Sequence, residues 1–519
     1  MSMQKTMANP STILSLFIFS CFALLTPTIC SSNETDLISL LSLKNTVNDP
    51  YGALNSWNET AHFCSWNGIR CGRKHPNRVV TINLSSQGLM GQLSPYIGVI
   101  PRNISQCPNL SYLNLIDNNL SGTIPHELDY LHKLEALGLS LNKFSGPIPP
   151  LLGNLTSLEV LSLGVCDFTG EIPQSLVQLH SLTFLNLAEN NLIGTIPPGL
   201  FNISTLTVFS IDDNQLQGSI PDSIGLTLPN LSWLQLGYNQ LGGAIPMSLS
   251  NASSLELIQL SHNFFTGPIP RFDKLSHLFA LYIGHNPIMD DISFISSLTN
   301  STKMEELIIY ENPYLGGSLP HSLANLSHHL SQLVISGNHQ IHGQIPSGIG
   351  NLIGLRRLGL YDNNLEGPLP WDMGKLSNLQ QVHLGGNKFK NELPSSFGNM
   401  TLLSILYLQE NYFSGNLPQS LSNCTSLLDL DLSRNNFSGL IPREITRLSS
   451  ISISFNLSFN AFIGSIPTEI GSLTNLQILD LSNNKLSGLI PNSLGNCLVL
   501  QQLFLKGNLL QGEIPFRIT

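Results

Sequence analysis

Across 519 residues, the side chains best suited to chemistry recur at intervals instead of gathering in one motif. Asp212, Asp213, Trp233, Gln235, Tyr238, His262, Tyr282, His285, Tyr310, Glu311, Arg357, Tyr361, Asp362, His383 and Tyr407 all fill variable slots of one short pattern, LxxLxLxxN. Trp, Tyr and Arg supply most interface hot spots, and carboxylates with Arg can fix the charge and direction of a bound chain. Together these residues suit non-covalent recognition of an extended peptide or protein ligand, although each alone is what any solvated sheet carries. Catalytic constellations are weaker. Glu305 and Glu306 are neighbours in one expected strand, so their side chains diverge and cannot flank one bond. GIGNLIG at 348–354 has the wrong glycine spacing for a phosphate loop. There is no CxxC or HExxH for a metal, no convincing nucleophile–base grouping, and no HRD or DFG of a kinase. The chain reads as a non-enzyme without metal or cofactor.

What positions the variable slots is a repeat. LDLSNNKLSGLIP ends at Pro491, and DLSRNNFSGLIP, NLAENNLIGTIP and NLIDNNLSGTIP end at Pro442, Pro197 and Pro125. Aligned on the Asn, from Asn118 to Asn508 with Gln87 and Cys166 filling two further slots, the register gives 18 repeats, mostly 24 residues apart. That period falls among leucine-rich repeats. The alternating LxL predicts a short parallel strand with one buried face. The Asn side chain can satisfy turning backbone groups, Gly permits the bend, and Pro fixes φ and ends further pairing. One repeat cannot enclose its own apolar side, so stacking holds the array together.

The remaining signals concern location. Lys5 and the apolar run Ile13–Leu25 predict a signal peptide over 1–30, cut between Cys30 and Ser32. No later stretch approaches 18 apolar residues, so no membrane helix is expected. A net charge of −10 without a basic stripe argues against nucleic acid. In a secreted chain, Cys64 and Cys71 of CSWNGIRC can pair, while Cys107, Cys424 and Cys497 share one repeat slot and read as small core residues. Sixteen N-x-S/T motifs, at Asn33, Asn58, Asn83, Asn103, Asn109, Asn119, Asn154, Asn202, Asn230, Asn251, Asn300, Asn325, Asn399, Asn423, Asn436 and Asn456, are glycosylation candidates. Among the inner-face slots only Asn83 and Asn456 carry one.

The pattern LxGxIPxxLGNL resembles the ectodomains of plant leucine-rich-repeat receptor-like kinases. TDLISLLSLKNTV (35–47), with Leu37, Leu40 and Leu41 on one helical face behind a Thr35 cap, resembles that family's N-terminal cap together with CSWNGIRC. MDDISFISSLTNSTKMEELIIYEN, LSHHLSQLVISGN and ISISFNLSFNAFIGSIP resemble the subgroup of the plant elongation-factor receptor and the rice bacterial-blight receptor. The resemblance implies an α/β solenoid, a horseshoe or superhelix with short parallel strands on its concave face. It divides the chain into a signal peptide (1–30), a disulfide-linked helical cap (31–78) and repeats (79–519). It also implies an extracellular ligand-binding role in defence or developmental signalling, with a plasma-membrane kinase in the full-length relative and a co-receptor kinase bearing a short repeat ectodomain as partner. A secreted decoy or inhibitor of a microbial enzyme is the alternative.

Two features depart from the family pattern. GQLSPYIGVIPRNI at 91–104 writes half a repeat twice, giving a 31-residue step that reads as an in-frame loss between Gly98 and Val99. The sequence stops in GEIPFRIT, inside a repeat, before any cysteine cap, membrane helix or kinase. The expectation is therefore a truncated receptor whose Leu500, Leu503 and Leu505 lack a covering repeat.

Overall fold

The computed structural model describes residues 34–516, apart from 59, 75 and 94–106. The expected signal peptide, and the doubled half-repeat from residue 94 on, lie outside the described residues. The chain forms two compact units, divided between Leu216 and Gln217.

The first unit opens with the helix Glu34–Thr46. Thr35 lies inside its first turn, not ahead of it as a cap. The buried side is Asp36, Ser39, Leu40 and Leu43, with Leu37 and Leu41 only half-buried. What ties this helix down is an ion pair that the apolar spacing did not reveal. Arg78 grips Asp36 through Nη2 at 2.7 Å and Nε at 3.0 Å, and the same carboxylate accepts the Val79 amide at 2.8 Å. Cys64 and Cys71 form the expected disulfide, beside stacked Trp57 and Trp66. The strand Ile69–Cys71 pairs antiparallel with Val79–Asn83 and starts the sheet.

From there most of the described repeats are built alike. In the first unit Val79–Asn83, Tyr112–Asn114, Ala136–Gly138, Val160–Ser162, Phe184–Asn186 and Val208–Ser210 are the successive strands, with parallel pairing throughout the first five and on into the sixth. In the second unit the strands run in parallel from Trp233–Gln235 to Gln502–Phe504. A second row of short parallel strands follows the Asn in each repeat, as in Lys143–Pro147 against Asp167–Glu171. The return path is a 3-10 helix, most often of five residues entered from Pro, for example Pro150–Asn154 and Gln419–Asn423. Proline there fixes φ at a position that needs no donor.

The Asn ladder carries the cohesion between repeats. Asn142 donates through Nδ2 to the carbonyls of Leu115, Leu139 and Ser140, while its Oδ1 accepts the Leu120 amide of the preceding repeat. Asn387, Asn411 and Asn484 repeat this geometry. Each buried amide thus closes backbone groups in two repeats that would otherwise be unpaired. The residue just before the Asn takes a left-handed conformation, with φ of 51–59° from Ser86 to Asn483, or is Gly, as at Gly337 and Gly386. Two residues after the Asn, Phe389, Phe413, Phe437 and Phe462 stack at centroid spacings of 6.1, 5.9 and 6.3 Å. Cys107, Cys424 and Cys497 are buried as expected, and so is Cys166.

Irregular sequence produces irregular structure. In the second unit the second strand row breaks between Phe264–Thr266 and Met289–Asp291. The nine-residue 3-10 helix Ile292–Asn300 follows, capped by Asp291 accepting the Ser293 amide at 2.8 Å. The next two strands, Glu306–Tyr310 and Gln332–Ser336, stay paired over five residues instead of three. Their runs ELIIY and QLVIS are rich in β-branched residues, which favour extended chain.

Candidate functional site

Asp212 and Asp213 belong to the first unit; the other thirteen predicted contact residues belong to the second. Asp212 does not project into solvent. It is 3% exposed, accepts a 2.9 Å hydrogen bond from Ser210, and burial pushes its carboxyl up to about 6. Asp213 is half-buried at the left-handed position.

In the second unit the strand face is an ordered set of polar and aromatic contacts. Tyr238 stacks on His262 at 4.2 Å, and His262 lies 4.6 Å from the His285 ring. Tyr310 shares a 2.6 Å hydrogen bond with His262 Nε2 across two repeats, and His285 Nδ1 meets Glu311 at 2.8 Å. Burial, then the neighbouring His285, lowers the His262 pKa. Tyr310 is itself a correction. It is only 8% exposed, because the five-residue strand carries it in register with Ser336 and its ring lies over Gly284.

Strand register explains the rest. Tyr282 donates to Glu306 at 2.5 Å, and Glu306 also accepts from Gln332 at 2.9 Å. Trp233 is half-buried, donates to Glu256 at 3.4 Å, and meets Phe279 edge-on. Gln235 is half-buried on the same strand. Further along, the Tyr361 and His383 rings are 6.4 Å apart, and His383 meets Tyr407 edge-on at 4.9 Å. Tyr407 donates to Asp429 at 2.5 Å. Asp362 is exposed, and partial desolvation raises its pKa. The variable slots are therefore not free of packing; they brace one another and present edges. Glu306, Gln332 and Asp429 belong to this face and were missed, although stepping from Tyr282 and Tyr407 to the same slot of the next repeat, Ile308 and Asp431, and then two residues back along that strand would have found Glu306 and Asp429.

Six buried side-chain polar atoms lack a hydrogen-bond partner among the described residues. Four of them, Ser336 Oγ, Arg357 Nε, His383 Nε2 and Gln409 Oε1, fall in four consecutive repeats of this face. Native interiors leave few such atoms, so their concentration marks the place.

Several glycosylation candidates lie elsewhere. Asn154, Asn202, Asn251, Asn300, Asn325, Asn399 and Asn423 each end a 3-10 helix and are exposed. Asn456 is on a strand, half-buried and bonded to Asp431; Asn33 and Asn103 lie outside the described residues.

The leucine-rich-repeat N-terminal domain model matches residues 33–72 and the leucine-rich-repeat region model 333–456; of two further leucine-rich-repeat models, one matches 454–510 and the other 109–131, 133–155 and 181–203. The crystal structure of the Arabidopsis receptor kinase HAESA, in complex with the peptide hormone IDA and the co-receptor SERK1, aligns at 31% identity with a TM-score of 0.73. That alignment covers 93% of this chain and 87% of that one. This chain belongs to the leucine-rich-repeat ectodomains of plant receptor kinases. The PEPR1–AtPEP1 crystal structure is likewise 31% identical, with a TM-score of 0.70, over 93% of this chain and 77% of that one. The receptor kinase EFR of Arabidopsis thaliana is 41% identical over 97 residues, 18% of this chain, and Xa21 of Oryza sativa subsp. japonica 46% over 93 residues, 17% of it. Those matches span only 8% and 9% of the two relatives' lengths. No helix among the described residues is long and apolar enough to cross a membrane.

Proposed function

We propose that this chain is the extracellular recognition part of a plant receptor kinase, made with a signal peptide over 1–30, and that the strand face of its second unit takes up an extended peptide. The observation that carries the reading is that each consecutive parallel strand contributes a large polar or aromatic side chain, in the order Trp233, Gln259, Tyr282, Glu306, Gln332, Arg357, His383, Tyr407 and Asp429. A peptide along this face crosses one repeat every few residues and meets a different pair of edges at each. The exposed motif asparagines that end helical turns keep candidate glycans off these strands. HAESA, solved with the peptide hormone IDA and the co-receptor SERK1, supports a peptide as the ligand class and a co-receptor as a further partner.

The test is a selection of random dodecapeptides on the secreted chain, followed by affinity measurement. Trp233→Ala combined with Tyr282→Ala should lower affinity at least about a hundredfold, as loss of two hot-spot aromatics does, while leaving circular dichroism unchanged. Unchanged affinity in the folded double variant removes the reading.

A further inference from the structure

Resting on that reading, we propose that a notch over Gly359 is a subsite for a carboxylate of the bound peptide, with Arg357, Ser336 and His383 as its donors. The notch is a consequence of register. Gly359 pairs with Val334 on one side and His383 on the other, and Arg357 with Gln332 and Gln381. Along this strand column the neighbours are Tyr282, Ile308, Val334, His383 and Tyr407. Gly359 alone adds no side chain, so the column dips there to backbone that its neighbours largely bury. A Cβ built at 359 would lie 3.5 Å from Ser336 Oγ and 3.4 Å from Val334, which places the serine hydroxyl at the wall of that dip.

The polar atoms around it are donors without acceptors. Ser336 is 1% exposed and its hydroxyl has no partner; Arg357 Nε and His383 Nε2 are buried and unpaired as well. Arg271, Arg434, Arg443 and Arg447 of this unit each meet a carboxylate, whereas Arg357 and its exposed neighbour Arg356 enter no ion pair among the described residues, and of the two only Arg357 is half-buried. Burial, then the Arg357 charge, pushes His383 down to about 4. It is therefore a neutral imidazole that can donate from one ring nitrogen, and the guanidinium is the only full charge among the three donors. A half-buried guanidinium with an unpaired Nε, beside an unpaired hydroxyl and an unpaired imidazole nitrogen, is a partly desolvated donor set, and an oxyanion satisfies it through charge-assisted hydrogen bonds. The nearby carboxylates are otherwise placed: Glu311 is held by His285, and Asp362 is exposed at the left-handed position. Candidate contacts extend along the face on both sides of Arg357, so a peptide crosses the notch mid-chain and an Asp or Glu side chain is the source of the carboxylate.

The experiment uses the dodecapeptides selected on the full secreted chain. Binders should share an Asp or Glu at one position. Replacing that residue with Asn or Gln should lower affinity roughly ten- to hundredfold, as loss of a charged hydrogen bond does. Arg357→Gln should cost the same, and the two changes together should cost no more than either. Gly359→Ala is the second variant, since its methyl meets only ordinary contacts and no left-handed backbone; it should fold normally and lose affinity by filling the gap. Amidating the peptide's end, with side chains intact, distinguishes a terminal carboxylate: a loss there and none from the side-chain change would overturn the side-chain assignment. Binders without any acidic residue, indifferent to Arg357→Gln and Gly359→Ala yet lost in the Trp233→Ala and Tyr282→Ala double variant, would overturn the notch and leave the peptide face standing. Binders indifferent to the double variant as well would overturn both.

Discussion

The two units use the same repeat to opposite ends. On the first unit's strands the variable slots hold Ala136, Gly138, Ser162, Asn186, Val208 and Ser210, all small or buried, with half-buried Tyr112 and Val160 as the exceptions. Ser140 and Ser162 bond to each other at 2.7 Å, and Asp212 is closed off by Ser210. On the second unit's strands the same slots hold half-buried Trp, Tyr, His, Arg and carboxylates whose edges remain presented. Leucines and ladder asparagines are interchangeable between the units; the variable columns are not. The scaffold, in other words, says nothing about where a ligand goes, and the proposed peptide face rests on the difference in variable columns.

The largest effect tests the shared part. Phe413→Ala removes the centre of a stacked aromatic row and should destabilise by about 3–5 kcal/mol, read by chemical denaturation. A loss below about 1 kcal/mol would mean that the row is not structural. Next, Asp212 tests whether the first unit's face is closed. Its folded pKa, about 6, lies above the unfolded carboxylate value. The unfolded chain therefore loses its proton first, and stability should fall as pH rises from about 4 to about 6. Asp212→Asn should abolish that slope and stabilise at pH 7 by roughly 1–3 kcal/mol; a slope that survives the substitution contradicts the burial account. A smaller effect sharpens the contrast in binding. Tyr112→Ala, on the first unit's face, should leave peptide affinity within about twofold, and a larger loss would extend the contact surface into that unit. The smallest concerns exposed charge: Glu410→Gln removes the Arg434 pair at 3.6 Å and should change stability by less than about 1 kcal/mol, and a greater change would make that pair structural.

The scaffold was readable because its letters are forced. Only Asn at its slot closes backbone groups in two repeats, and only an apolar residue fits the LxL column. The cap helix was readable as a helix but not in its details. Asp36 and Arg78 lie 42 positions apart, and no local periodicity links them, so the buried face was misplaced toward Leu37 and Leu41. The aromatic row was overlooked because Phe389 or Phe437 stands where other repeats have Leu, and one apolar letter replaces another without comment.

At the candidate site, slot membership gave the face but not the exposure. Tyr310 and Asp212 both occupy variable positions, yet one is drawn under by an extra-long strand pairing and the other is shut in by a neighbouring hydroxyl. Gly359 was invisible for the simplest reason: attention to reactive side chains passes over a residue that contributes by having none.

The left-handed residue ahead of each ladder Asn bears on how such a surface can change. Asp213, Tyr238, His262, His285, Glu311 and Asp362 all occupy that slot, where β-branched substitutes meet backbone resistance. This chain nevertheless holds Leu141, Val165, Tyr238, Glu311 and Phe459 at that bend, so the ladder beside it outweighs the local backbone cost and the slot stays open to change. Libraries aimed at a new partner should diversify positions such as 282, 357, 359 and 383 first, where no left-handed backbone is required, and the bend second.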